Sequence, residues 1–203
     1  FMYGNKKRYE PELRYNLFRS NQFISPFGVG SIVDLPDESV MPATIDKWSE
    51  AGIPALYDNR LQKRLKNLNI THFRKIPTKS EYVNGIPFYR FPKWLYCRNP
   101  KCSRLRHVDD WRKDYRKIKG KDSKIPRCSY CNLKLVPTRF IIICEHGHID
   151  DFPWIEWVHR GKGCSYPDLR LRTGGSNSGL RGIVVECKSC NTKMQRNSRK
   201  TGG

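Results

Sequence analysis

Eight cysteines, spaced as Cys97-x4-Cys102, Cys128-x2-Cys131, Cys144, Cys164 and Cys187-x2-Cys190, constrain this chain more than any other feature. A short Cys-Cys turn can bring two thiolates to one ion at about 2.3 Å, and two such turns complete a tetrahedral zinc. The first two pairs are separated by 25 residues, the two-knuckle arrangement of a zinc ribbon, and Asn99, Pro100 and Lys101 make the wider first pair a turn. Cys97, Cys102, Cys128 and Cys131 are therefore expected to close one structural zinc site. Cys187-x2-Cys190 is a second knuckle, ending a strand expected over 182–186. Its two further ligands come from Cys144, Cys164, His146, His148 and His159, and counting sulfurs assigns Cys144 and Cys164, so that eight thiols make two four-cysteine sites. His148, four residues beyond Cys144, competes for one of those positions, because a Cys-x3-His turn also reaches one metal. A disulfide framework is the other use for so many thiols. With no basic-then-apolar leader opening the sequence, and disulfides rare in a reducing cytosol, metal-bound thiolates in a cytoplasmic protein are the expectation.

Zinc also answers a difficulty of composition. At 203 residues the chain suffices for one sizeable domain or two small ones, but 37% hydrophobic residues make a lean core, while 12% aromatics argue against disorder. No apolar run approaches the roughly 20 residues of a membrane-spanning helix, so no membrane partner is expected. The first residue is not methionine and the closing NSRKTGG lacks a terminal element, which reads as a piece of a longer protein. The expected fold class is α+β: small mixed domains with zinc-ribbon-like β-hairpins and short helices. Residues 1–96 form an amino-terminal α+β region, 97–135 a zinc-ribbon module with a basic insertion, and 136–203 a second zinc-binding module.

Local patterns fill in this outline. FISPFGVGSIVDLP reads as loop, strand and turn, and Gly28-x-Gly30 within it as a turn with close backbone approach. A phosphate cradle is disfavoured there because no Gly-Lys-Ser/Thr follows. NRLQKRLKNL puts Leu61, Leu65 and Leu68 on one face of a helix over 59–68. DFPWIEWVHR opens a short helix at Pro153, with Asp150 or Asp151 as N-cap and Trp154 and Trp157 packed on the zinc module.

The charge is strongly one-signed. Lys and Arg total 39 against 19 acidic residues, a net +20, and the stretch from Arg98 to Arg127 alone holds twelve basic residues against four acidic ones. Binding to a polyanion is the expectation, because each neutralised phosphate releases counterions. Arg104, Arg106, Arg112, Lys113, Arg116, Lys117, Lys119 and Lys121 alternate with Trp111 and Tyr115, rings that could stack on bases, and are the candidate nucleic-acid contacts.

One phrase points elsewhere. HGHIDD, residues 146–151, is one residue away from the HxHxDH signature of metallo-β-lactamase-type hydrolases. A metal-dependent nuclease at His146, His148, Asp150 and Asp151 is the competing function. The final signature position is Asp151, His159 is the sole later histidine, and a sphere filled by sulfur leaves no open position for water. No catalytic residue is therefore expected.

RSNQFISPFGVGSIVDLPDESV, PKWLYC and LVPTRFIIICEHGHIDDFPWIEWVH, with the Cys164 and Cys187 to Cys190 remainder, resemble the amino-terminal part of the DrmB family, components of the bacterial DISARM anti-phage defence system. The resemblance spans nearly the whole chain. It implies a non-enzymatic DNA-binding protein partnered with a DrmA-type helicase, which would supply any ATPase activity. Larger members continue into a further domain.

Overall fold

The computed structural model describes residues 20–36, 38–48, 53, 55–70, 72–76, 86–173 and 182–195; the closing NSRKTGG lies outside them. The described chain forms two compact units, one up to Asp34 and over Val40–Arg90, the other over Leu35–Ser39 and from Phe91 onward.

The first unit contains β1 (Val33–Asp34), β2 (Ser39–Pro42), β3 (Ala55–Leu56), α1 (Asn59–Leu65), β4 (Phe73–Arg74) and β5 (Phe88–Arg90). β1, β2 and β5 form a three-stranded sheet, and β3 pairs with β4. Ahead of β1 the expected tight turn is present. The Gly28 carbonyl accepts hydrogen bonds from the Ser31 amide and hydroxyl, Gly30 adopts φ +86°, and a Cβ on Gly28 would stand 3.2 Å from the Phe23 carbonyl oxygen. α1 starts where Asp58 accepts the Leu61 amide at 2.9 Å, the bond an N-cap supplies to an otherwise orphaned donor. The helix tightens into a 3-10 turn over Lys66–Leu68 and stops at left-handed Asn69. Leu61 and Leu68, 41% and 67% exposed, do not make this a core-facing helix.

The second unit holds the larger sheet. Its elements are β6 (Trp94–Cys97), β7 (Arg104–His107), α2 (Val108–Lys119), β8 (Leu135–Pro137), β9 (Ile141–Ile143), β10 (Ile149–Asp151), α3 (Trp154–His159), β11 (Leu169–Thr173), β12 (Ile183–Cys187) and β13 (Lys193–Gln195). Six strands form one sheet in the order β13-β12-β11-β7-β6-β8, and β9 pairs with β10 as a separate hairpin. The printed registers are all antiparallel, so the expected α+β fold with antiparallel hairpins is what forms.

The two-residue period of a strand divides this sheet's side chains between two cores. Leu95 and Cys97 go to one face, with Cys102, Val108, Trp111, Cys128 and Leu135. Trp94 and Tyr96 go to the other, with Leu105, Trp154, Val158, Leu169, Leu171, Val185 and Cys187. The registers Tyr96↔Leu105, Leu105↔Leu169 and Leu169↔Cys187 run that second face across four strands. α2 covers the first face and α3 the second.

α2 is an addition to the sequence reading. Val108, Trp111 and Tyr115, at spacings of three and four, are its buried stripe. The His107 ring nitrogen accepts the Asp109 amide at 3.4 Å, Asp109 and Asp110 occupy the first turn, and left-handed Gly120 ends the helix. Trp111 is 1% exposed and its indole N–H donates to the Leu95 carbonyl at 3.0 Å, pinning α2 to β6. Trp111→Ala is expected to cost about 3–5 kcal/mol, read as a shifted denaturation midpoint.

α3 forms where expected, with Trp154 buried and Trp157 half-buried against the second core. Its start differs, because neither aspartate caps it: Asp150 accepts the Asp151 amide at 2.7 Å, and Asp151 accepts the Lys93 amide at 2.8 Å. Asp151 is thus engaged by the backbone before β6. Burial holds its carboxyl above the usual range, with the Lys93 amide opposing.

Candidate metal centres

Cys97 ends β6, Cys102 follows in the turn, and Cys128 and Cys131 come from the turn before β8. Their four sulfurs lie within 4.8 Å of one another, the first three residues buried. The first turn is shaped by Asn99, whose carbonyl accepts the Cys102 and Ser103 amides at 2.9 and 2.8 Å and whose side-chain amide donates to the Cys131 sulfur at 3.3 Å. The Cys131 amide donates to the Cys128 sulfur at 3.4 Å. N–H donors on sulfur stabilise thiolates and orient ligands. All eight cysteines are free of disulfides. Cys102 and Cys128 sulfurs are 3.8 Å apart, far beyond a covalent S–S length of about 2.05 Å. That separation is the edge of a tetrahedron whose centre lies about 2.3 Å from each sulfur, so the donor set fits zinc.

The charges fit as well. Burial pushes the Cys97 and Cys128 thiols above the usual range, and neighbouring sulfurs push Cys97 the same way. Burial also acts on Cys102, but the Arg104 backbone and neighbouring side chains outweigh it and bring this thiol below its ordinary value. Four crowded sulfurs cannot all ionise without a cation among them.

The second cluster joins His159, Cys164, Cys187 and Cys190, again within 4.8 Å of one another. Sulfur counting placed Cys144 in this set. The structure puts His159 there instead, because α3 ends with this residue directed into the second core. Nδ1 of His159 lies 2.6 Å from the Ile155 carbonyl and donates to it, leaving Nε2 the lone pair. Nε2 is buried and has no hydrogen-bond partner. A buried acceptor without a donor, beside three sulfurs, is the arrangement a metal satisfies. After the helix, Arg160 and Gly161 at φ +52° and +75° turn the chain towards Cys164.

Burial raises the Cys164 thiol. Burial acts against Cys187 too, but the Cys190, Ser189 and Asp168 amides outweigh it and bring Cys187 down to about 6. A depressed value favours the thiolate above about pH 6. Metal at this centre is expected to stay bound at neutral pH and to be lost progressively in acid, below the range where Cys187 alone would protonate, as protons compete for the ligands. Zinc analysis after dialysis at stepped pH checks this; full retention at about pH 4 would contradict it.

The two knuckles are built alike. CSYCN and CKSCN place asparagine after the second cysteine at φ +56° and +55°. The Cys128 amide donates to Leu133 O at 2.9 Å, and the Cys187 amide to Thr192 O at 2.7 Å, the same offset of five. This Cys-x2-Cys-Asn-x-Lys repeat is present in the sequence itself.

The remaining candidates separate. Cys144 and His148 meet each other at the tip of the β9–β10 hairpin, their sulfur and Nδ1 3.2 Å apart. Among the described residues His146, His148, Asp150 and Asp151 form no four-ligand cluster. The eight basic candidates also divide. Arg104 stacks 3.7 Å from the Tyr130 ring centroid, and Arg104 and Arg106 face Asp168 at 3.9 and 3.7 Å. Arg106 also pairs with Asp114. Arg112, Lys113 and Arg116 form ion pairs with Asp109, Asp110 and Asp122, and Lys117, Lys119 and Lys121 are exposed at the far end of α2.

An antiparallel sheet with helices on it and two Cys/His quartets makes this an α+β protein of the kind that could hold two metal ions. Residues 19–202 match the model of the family described as Domain of unknown function (DUF8724), and the chain belongs to that family. It is 35% identical over 174 residues to the DISARM protein DrmB of Bacillus paralicheniformis, a match covering 81% of this chain and 28% of that protein. The resemblance to DrmB carried by the sequence phrases is thereby borne out. The chain spans little more than a quarter of that relative's length. Among the described residues no helix is long and apolar enough to cross a membrane.

Proposed function

We propose that this chain is a zinc-stabilised, non-catalytic DNA-binding and partner-docking module of an anti-phage defence complex. One zinc is held by Cys97, Cys102, Cys128 and Cys131, the other by His159 Nε2, Cys164, Cys187 and Cys190. Bound there, each ion supplies cross-linking of distant segments. Four protein ligands leave no position for an activated water. The DISARM protein DrmB supports the defence setting, and a DrmA-type helicase is the partner proposed to contribute ATP hydrolysis. That setting and eight cysteines free of disulfides support a cytoplasmic location.

The observation that carries DNA binding is α2. Its buried stripe docks on the first core, and its last turn and the residues beyond present Lys117, Lys119 and Lys121 to solvent. Lysines of this kind bind phosphates without reading bases. Arg112, Lys113 and Arg116 extend the same helix surface, whereas Arg106 reaches the helix from the sheet through Asp114 and Arg104 faces Asp168 and Tyr130. Changing Lys117, Lys119 and Lys121 together to glutamate is expected to weaken binding to all DNA sequences alike and to flatten the log–log salt dependence by up to about 3. Fluorescence anisotropy over a salt series measures both, with zinc content as the check on folding. Unchanged affinity and slope would overturn the assignment of DNA to this helix.

A further inference from the structure

Neither four-ligand centre uses Cys144 or His148, yet the fold brings them together. β9 and β10 pair from Ile141↔Asp151 to Ile143↔Ile149, and the intervening turn CEHGH closes with the Cys144 amide on the His148 carbonyl at 3.1 Å. The Gly147 amide donates to the Cys144 carbonyl at 3.0 Å, with Gly147 at φ +79°, a conformation that β-carbons disfavour. This backbone aims the Cys144 sulfur and the His148 Nδ1 at each other, 3.2 Å apart, and both residues are exposed.

We infer that the β9–β10 hairpin tip is a third metal site, which takes an exchangeable zinc-like ion through Cys144 Sγ and His148 Nδ1. A tetrahedral zinc with bonds of about 2.3 Å to sulfur and 2.0–2.1 Å to nitrogen needs these donors about 3.6 Å apart, a few tenths of an ångström from their present separation. Thiolate and imidazole together select zinc, cobalt or cuprous copper over magnesium or calcium, whose preferred donors are oxygens. Binding displaces the thiol proton to solvent and changes no oxidation state. Two protein donors on an exposed tip leave the other positions to water, so this ion is weakly held and available to exchange, unlike the enclosed pair.

The test is a Zn²⁺ titration of the chain, purified with its tightly bound zinc, against a chromophoric chelator. A third, weaker equivalent is expected beyond the two tight ones. Cys144→Ser and His148→Ala should each remove that third equivalent and leave the first two intact. Both positions are exposed on a turn, so retention of two tight zincs confirms that the variants are folded. Saturation at two equivalents in the parent, or a third equivalent that survives both substitutions, would overturn the site.

Discussion

Cys128→Ser is expected to abolish folding of the second unit, with loss of the cooperative thermal transition and of zinc at the first centre. Cys128 is wholly buried among Cys97, Cys102, Leu95, Trp111 and Leu135, so the substitution removes a ligand and leaves a hydroxyl in a sulfur and hydrocarbon core. Structural zinc contributes on the order of 10–16 kcal/mol in comparable modules, about the whole stability of a domain of this size. Circular dichroism on heating and zinc analysis of the purified variant decide the matter. A variant melting within a few degrees of the parent would show that the apolar contacts of Val108, Trp111 and Leu135 suffice without the ion.

The second large effect distinguishes the two assignments of the other centre. His159→Ala is expected to reduce tightly bound zinc below two per chain and to lower the melting temperature sharply. Cys144→Ser should keep both tight ions and the parent's stability. His159→Cys, which restores a fourth donor of zinc-binding type, should recover metal where alanine does not. If Cys144→Ser loses a tight zinc and His159→Ala does not, sulfur counting was right and the orphaned Nε2 has another explanation.

The difference between the centres explains what could be read in advance. Cys97, Cys102, Cys128 and Cys131 come from two short turns, and spacing along the chain nearly determines proximity in space. His159 depends on the length of α3 and on two left-handed residues, Arg160 and Gly161, which re-aim the chain. Ligand spacing carries no trace of that geometry. The thiol count closed at eight and so favoured Cys144 over His159. In α2 the signal was present but outweighed: the density of Lys and Arg drew attention from Val108, Trp111 and Tyr115, whose spacing marks a core-facing helix. Arg104 and Arg106 looked like solvent-facing cations because charge is visible in sequence, whereas the position of Asp168 beside them follows only once β7 pairs with β11. The Trp154 and Trp157 pair was legible because both lie within one short periodic phrase.

The alternation of the central sheet also governs which donors can ever meet. Cys97 on β6 and Cys187 on β12 project from opposite sides, so once the strands register, the eight ligands are sorted into two quartets and a cross-matched set is geometrically barred. A one-residue insertion in β6 would reverse that sorting and carry Cys97 to the wrong side, while leaving every cysteine in the chain. Fidelity of metal loading is thus a property of strand phase, not of how many thiols are at hand.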